Sequence, residues 1–555
     1  MSPTFLTNVF NLNPNPGDVS HVADHRVLLY VLISSGAIVT YLIVHRLIFY
    51  PYFLSPLRSI PGPPLGNPIL GQFRTIIEGE AGIPQRQWVK RYGSVVRVVG
   101  PIGIERLIFT KPEALHKILV SDWVEYPRPG FMRDILGLTA GYGLLTVTGN
   151  EHRQMRKAMN PAFAIPNLMA QTDMYYDVID DLVEIFGSQI DNTERPELGK
   201  EFLVYDWMSK ATLDIVCSTA FGYKSNSLQN PHNELAEAYE NLIRPNLARF
   251  IAMIVVPGVP QLLGSDWAYR HRYWFTKIKT LAPLAVMLGS MHKIKRISAS
   301  ILQEKMSDNA TTVSDMEAKR DIMSLLVRAR KADLEKDKAV YTMSDKAMMD
   351  QVLTFLGAGH ETTASGLAWT LWLLAKDQEV QANLREEIIP IFDNNKRPDY
   401  RTLKDLQFLD CVIMESLRLI PPVPMTFRRA EKTDHIDGVI VPKGTILYIP
   451  IRVINTWKDI WGHDAEEFNP KRWLKLPENY HPSFSTLSFL AGPHACIGKT
   501  MAIAEMKAVL ASLIANFVFE PAYEGQVALP TAAVTMKPKD NMPLRVRRVR
   551  QSPAN

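Results

Sequence analysis

Residues 489–498 read FLAGPHACIG, and the helix-forming run TMAIAEMKAVLASLIANF follows at 500–517. Gly492 and Gly498 let the backbone around Cys496 turn tightly. Phe489 can cover one side of the sulfur. The following helix start offers unpaired N–H groups and a positive dipole end to a thiolate. A sulfur supported this way is a good soft metal ligand. A lone cysteine cannot build a zinc or iron–sulfur centre, which takes several protein ligands. Haem takes a single proximal ligand from the protein.

Composition agrees with an intracellular globular body. The 555 residues are 46% hydrophobic and 21% charged, with a formal charge of +5. The three cysteines, Cys217, Cys411 and Cys496, are too few and too scattered for a disulfide framework. No Lys/Arg block interleaves with aromatics, so the sequence offers no nucleic-acid footprint.

From Val27 to Val44, VLLYVLISSGAIVTYLIV carries no charge. About 18 such residues reach across a bilayer core as a helix. Tyr30, Tyr41, Phe49, Tyr50 and Tyr52 suit an interfacial belt. A cleaved signal peptide would show a positive leader and a small-residue cleavage site. Here the tail NPGDVSHVADHR precedes the run and aromatics follow it. A retained anchor over 27–50 is expected after a tail over 1–26. Arg46, Arg58 and Arg74 lie after the span and Arg26 alone just before it, which places the body on the cytosolic side. Residues 51–71 hold SIPGPPLGNPILG, whose prolines predict a stiff hinge.

Beyond the hinge, Ser94–Val99 and Ile104–Phe109 read as a strand pair. Helical patterns follow at Lys111–Val120, Glu151–Met159, Leu168–Ser188, Tyr205–Ala220, Leu235–Ile254 and Tyr273–Met306. ATTVSDMEAKRD (310–321) reads as a loop, and the sequon at Asn309 as a chance match in a cytosolic body. Gly438–Ile451 is β-rich, with turn signals at Asp437-Gly438 and Lys443-Gly444.

The stretch 344–378 predicts one long buried helix capped by Ser344. Its middle carries Gly357, Gly359, His360, Glu361, Thr362 and Thr363. Glycines there cost about 1 kcal/mol each relative to alanine. A buried glutamate costs more unless it is partnered or protonated. Glycines that allow a close helix crossing would explain any one of these residues. Together, an acid beside an alcohol where the backbone can open suits proton delivery to a molecule bound at the helix face.

In MESLRL, Glu415 and Arg418 stand three apart on one helix face among apolar residues. FNPKRW supplies Arg472. A buried structural network of Glu415, Arg418 and Arg472 is expected.

These pieces, AGHETT, ESLR, PKRW and FLAGPHACIG, stand in the order found in the cytochrome P-450 superfamily, and the chain resembles its eukaryotic microsomal, fungal-like members. The resemblance spans almost the whole chain. It implies a mainly α fold with a minor β part over 72–555, preceded by one transmembrane helix. It implies haem b with Cys496 as axial thiolate, cradled by Phe489, Gly492 and Gly498. Propionate contacts are implied for Arg156, for His152 in place of the usual tryptophan, for His494 in place of the usual arginine, and for Arg428. Arg153 has the wrong spacing, and Arg429 would face away from Arg428. Glu361 and Thr362 match the pair that guides protons during oxygen reduction. Trp473 stands where phenylalanine is common. Phe131, Phe355, Ala358, Phe427 and Met536 fall where the family lines its substrate pocket.

The implied activity is monooxygenation of a hydrophobic small molecule with O2. Electrons would come from NADPH through a membrane-bound flavoprotein reductase at the endoplasmic reticulum, with the body in the cytosol. Secondary metabolism, terpenoids included, is the expected setting. A reductase-independent haem-thiolate isomerase or dehydratase, or a non-catalytic haem protein, is the alternative. The intact Glu361-Thr362 pair argues against both.

Overall fold

The computed structural model describes residues 19–242, 258–279, 281–307, 320–334, 342–394, 397–531 and 535–549, with backbone alone at 19–26, 332–334 and 394. It divides into two compact units, one of residues up to 74 together with 97–106, the other of 75–96 and everything from 107 onward.

The smaller unit begins with the α-helix Val19–Val44, which continues as a π-wound segment over His45–Leu54. Within it Val27–Leu54, 28 residues with an unburied 18-residue window of mean hydropathy 2.3, is long and apolar enough to cross a membrane. The helical winding passes through Arg46 and Pro51, so the expected boundary at 50/51 falls inside it. The wider π turn accommodates the missing proline N–H. Arg46 lies over the Tyr50 ring at 5.2 Å, a contact that shields its charge within an apolar run. The proline-rich segment is fixed by backbone contacts. Arg97 N donates to Pro61 O at 2.9 Å, and a Cβ on Gly62 would stand 1.8 Å from Arg97 O. Glu105 accepts from Ser55 and from Arg97, each at 2.6 Å.

The larger unit is mainly helical. Its axis is the helix Asp345–Lys376, here the central helix, whose Ser344 hydroxyl caps Ala347 N at 3.1 Å. The helix is α-wound throughout. The glycines serve close crossings. A Cβ on Gly359 would stand 2.6 Å from Val216, and one on Gly357 would meet Ala140 at 3.2 Å. Thr362 and Thr363 donate back to the carbonyls of Ala358 and Gly359 at 2.8 and 3.0 Å. Around it pack Ile165–Asp191, Val204–Phe221, Gln407–Leu419 and Lys499–Asn516.

One other reading is corrected by local chemistry. The expected helix Tyr273–Met306 is two, Arg272–Thr276 and Ala282–Ser307, because Pro283 fits only the first turn of a helix. The helix expected at Leu235–Ile254 is described over Glu234–Leu242; the rest, with Asn309 and most of the loop 310–321, lies outside the described residues. The strands Thr426–Arg429 and Ile446–Ile449 pair antiparallel, Arg428 opposite Leu447. Lys200–Leu203, Pro543–Arg548 and Phe517–Pro521 form a three-stranded sheet. Asp434–Ile436 and Val439–Val441 form a hairpin through Asp437 and Gly438, at φ 48° and 77°, the backbone an Asp-Gly turn selects.

Candidate active site

The loop 489–498 turns as its glycines require. Gly492 has φ 72°, and a Cβ there would stand 2.1 Å from Leu119 O. Cys496 N donates to Phe489 O at 2.8 Å, which sets the thiol at the start of helix Lys499–Asn516. Cys496 is the exposed cysteine, while Cys217 and Cys411 are buried. Its sulfur is reachable, yet protein surrounds it closely enough that desolvation pushes the thiol pKa up, against the pull of the Gly498 N–H, Arg156 and Lys499. Binding to a metal ion overrides that shift, because a coordinating thiol is deprotonated. Lys499 lies 5.8 Å over the Phe489 ring.

Beside this loop the fold gathers five basic side chains. His152 and Arg156 come from the helix Gly149–Met159, His494 from the loop, and Arg428 from its strand. The fifth is Arg128, absent from the sequence expectations. Its only signal was a lone cation between the prolines of YPRPG. Arg128 donates to Leu145 O at 2.8 Å and stands 3.4 Å from His494 Nδ1. The His152 and His494 rings lie 4.0 Å apart, and the Trp123 indole packs edge-on against both, at 5.7 and 5.2 Å. Arg156 donates to the carbonyl of Ala495. Arg153 is exposed and lies over the Trp123 ring at 5.7 Å. Arg429 is exposed while Arg428 is buried, as strand alternation requires.

The electrostatics of this cluster are one-sided. Burial and then Arg128 push Arg428 well below its ordinary pKa, and burial lowers Arg128 to about 10. Burial, then Arg128, Arg156 and Arg428, bring His152 down to about 4. His494 is lowered further by burial and the same cations. Arg428 Nη2, His152 Nδ1 and His494 Nε2 are buried with no hydrogen-bond partner. Such a cluster is costly until anions pair with it. Three guanidiniums and two imidazoles beside one reachable thiol match a group bearing two carboxylates and one open axial metal position. The residues present therefore fit haem.

On the central helix, Ala358 and Thr362 stand four apart on a half-buried face, while Glu361 is buried. Glu361 Oε1 accepts from Thr535 Oγ1 at 2.7 Å, a partner the sequence did not signal. Burial raises the Glu361 pKa, against Thr535 and Lys537. Phe131 and Phe427 meet at 5.8 Å between ring centres. Phe355 instead packs against Phe163 and Phe221, at 5.6 and 6.4 Å. Met536 is fully buried, and its carbonyl accepts from Ser365 at 2.8 Å and from the Trp369 indole.

The Glu415 network assembles with more members than expected. Arg418 donates twice to Glu415, at 2.7 and 2.8 Å, and to the carbonyls of Asn455, Ala465 and Glu467. Arg472 donates to Glu415 at 2.8 Å and pairs with Asp464 at 2.9 Å. Asn469 N and the Trp473 indole N–H complete the glutamate, each at 3.0 Å. Trp473 thus contributes a hydrogen bond that phenylalanine cannot make.

A model of the cytochrome P450 family matches residues 61–544. The chain belongs to that family: it is an oxidoreductase of the haem-thiolate monooxygenase class. Its similarity extends to cytochrome P450 monooxygenase 205 of Postia placenta, 33% identical over 87% of this chain and 90% of the relative. It is 30% identical to the monooxygenase sphH of Aspergillus fumigatus, over 93% of both chains. The monooxygenase FUM15 of Gibberella moniliformis is likewise 30% identical, over 85% of this chain and 84% of the relative.

Proposed function

We propose that Cys496 is the axial haem ligand, that Arg128, Arg156, Arg428, His152 and His494 hold the propionates, and that Glu361 and Thr362 steer protons. The observation that carries this is the cationic cluster beside the reachable thiol, without a carboxylate partner among the described residues. When bound, haem-thiolate supplies O2 activation, with thiolate donation favouring O–O cleavage. The residues around it bind, orient and deliver protons. Thr362 sits on the half-buried face of the central helix, its hydroxyl hydrogen engaged with Ala358 O and its lone pairs free to orient water. Phe131, Phe427 and Ala358 supply apolar contacts to a hydrophobic small molecule, and Phe355 and Met536 are buried.

Residues 27–50 anchor the protein in the endoplasmic reticulum, and 72–555 form the catalytic domain on the cytosolic face. Electrons arrive from NADPH through a separate flavoprotein reductase. The resemblance to fungal members of the family motivates a role in secondary metabolism, with terpenoids as the first substrates to try. The test is product analysis with reductase and NADPH, normalised to intact haem-thiolate protein. Product that forms without reductase would favour an isomerase or dehydratase instead. In Thr362→Ala, haem content should hold while product per NADPH falls and hydrogen peroxide rises. An unchanged ratio would return Thr362 to a purely structural role.

A further inference from the structure

The two nitrogens of the His494 ring have different surroundings. Arg128 Nη1 stands 3.4 Å from Nδ1, and the same guanidinium nitrogen donates to Leu145 O at 2.8 Å. A guanidinium nitrogen donates and cannot accept, so this contact needs an unprotonated Nδ1. A neutral imidazole then carries its single proton on Nε2. That atom is buried with no hydrogen-bond partner, in a side chain from a residue only 6% exposed. The ring packs against His152 and Trp123, with centres 4.0 and 5.2 Å away, and both contacts resist its rotation. The strap that holds Arg128 is itself tied down. Leu144 N donates to Gln351 Oε1 of the central helix at 3.2 Å, Thr146 Oγ1 donates to Gly143 O at 3.0 Å, and Arg133 Nε donates to Thr146 O at 2.9 Å. Burial and the surrounding cations disfavour an imidazolium here.

We propose that Arg128 is a positioning residue that fixes His494 as the Nε2–H tautomer, and that this uncharged donor gives a hydrogen bond to a haem propionate. The proposal rests on the reading that this cluster holds the propionates. It separates two jobs within the cluster. The guanidiniums supply positive charge, whereas His494 supplies a directed N–H without adding a further cation beside Arg128 and Arg428. An arginine at position 494 would press another guanidinium against Arg128, and like charges repel strongly where water is excluded. The opposite tautomer would fail for a different reason: it would turn a lone pair at Nε2 toward the carboxylate and leave the Arg128 donor facing an N–H. Arg128 therefore acts on the propionate twice, through its own charge and through the proton it keeps on Nε2.

The experiment uses the full-length holoprotein, reduced and CO-bound so that it is diamagnetic, with isotope-labelled histidine. Solid-state nitrogen NMR reads the two ring nitrogens of His494, assigned by their loss in His494→Gln. Wild type should show an unprotonated Nδ1 and a protonated Nε2, and the Nδ1 signal should move in Arg128→Met as its lone pair loses a donor. A protonated Nδ1 in wild type, or an Nδ1 signal unmoved in Arg128→Met, would overturn the proposal. Haem transfer to apomyoglobin gives the second readout. His494→Gln should stay within about twofold of wild type, because an amide N–H donates without any choice of tautomer. Arg128→Met should speed transfer by a factor about 3- to 10-fold larger in the His494 protein than in His494→Gln, the coupling expected of residues in contact. Equal factors in both backgrounds would show that Arg128 acts through its charge alone and would overturn the proposal. Unchanged transfer in Arg128→Met, Arg156→Leu and Arg428→Leu alike would overturn the underlying propionate reading.

Discussion

Two clusters of buried arginine in this chain end differently. Around Glu415, every nitrogen of the Arg418 and Arg472 side chains has an acceptor, and both glutamate oxygens are filled. Around Cys496, Arg128, Arg156 and Arg428 meet two imidazoles and no carboxylate among the described residues, and three buried polar atoms stay unpartnered. The first network closes on itself and so holds the protein together. The second stays open because it holds something that brings its own negative charge. The two should respond to mutation with opposite signs.

The largest effect should come from the closed network. Glu415→Ala leaves two buried guanidiniums without their shared anion, a loss on the order of 3–5 kcal/mol. Unfolding in denaturant should show it, and haem content should fall with stability. The open cluster should behave otherwise. Arg428→Leu removes one of several mutually repelling cations, so the apoprotein should unfold at the same or a higher temperature. Its haem should transfer to apomyoglobin about 10- to 150-fold faster, as expected for losing one charged hydrogen bond of ~1.5–3 kcal/mol. A destabilised Arg428→Leu apoprotein would erase the distinction.

The difference also explains what was legible in the sequence. Cys496, Arg418 and Arg472 sit in contiguous motifs whose residue types carry their own chemistry. The long helices declared themselves by apolar periodicity, and Ser344 by its capping chemistry. Arg128 and Thr535 were not legible. Each enters its cluster through a contact far along the chain, to His494 and to Glu361, that no local pattern encodes. The glycines of the central helix were ambiguous for a related reason. A glycine in a helix signals either an opening or a close neighbour, and only the neighbour, Val216 at Gly359, decides between them.

A smaller test probes Trp473. Trp473→Phe keeps the ring but removes the N–H bonded to Glu415, at a cost of about 1–2 kcal/mol in unfolding free energy. No loss would show that the remaining donors suffice. Smaller again is a pH effect in the open cluster. His152 faces Trp123, His494 and the cations Arg128, Arg156 and Arg428, and its pKa of about 4 lies below the ordinary 6.5. The folded state therefore binds fewer protons than the unfolded chain. Stability from this site is complete above pH 6.5 and declines as pH falls toward 4, by about 1 kcal/mol between pH 6.5 and 5.5. His152→Gln should flatten that slope in apoprotein melts; an unchanged slope would assign it to other groups.

The most direct test of the whole account is the spectrum of the reduced, CO-bound protein. With Cys496 as the thiolate ligand, wild-type protein should show the red-shifted Soret band of thiolate ligation, and Cys496→Ser should lose it while Cys217→Ser and Cys411→Ser keep it. The same red-shifted band in Cys496→Ser would contradict the assignment of the site.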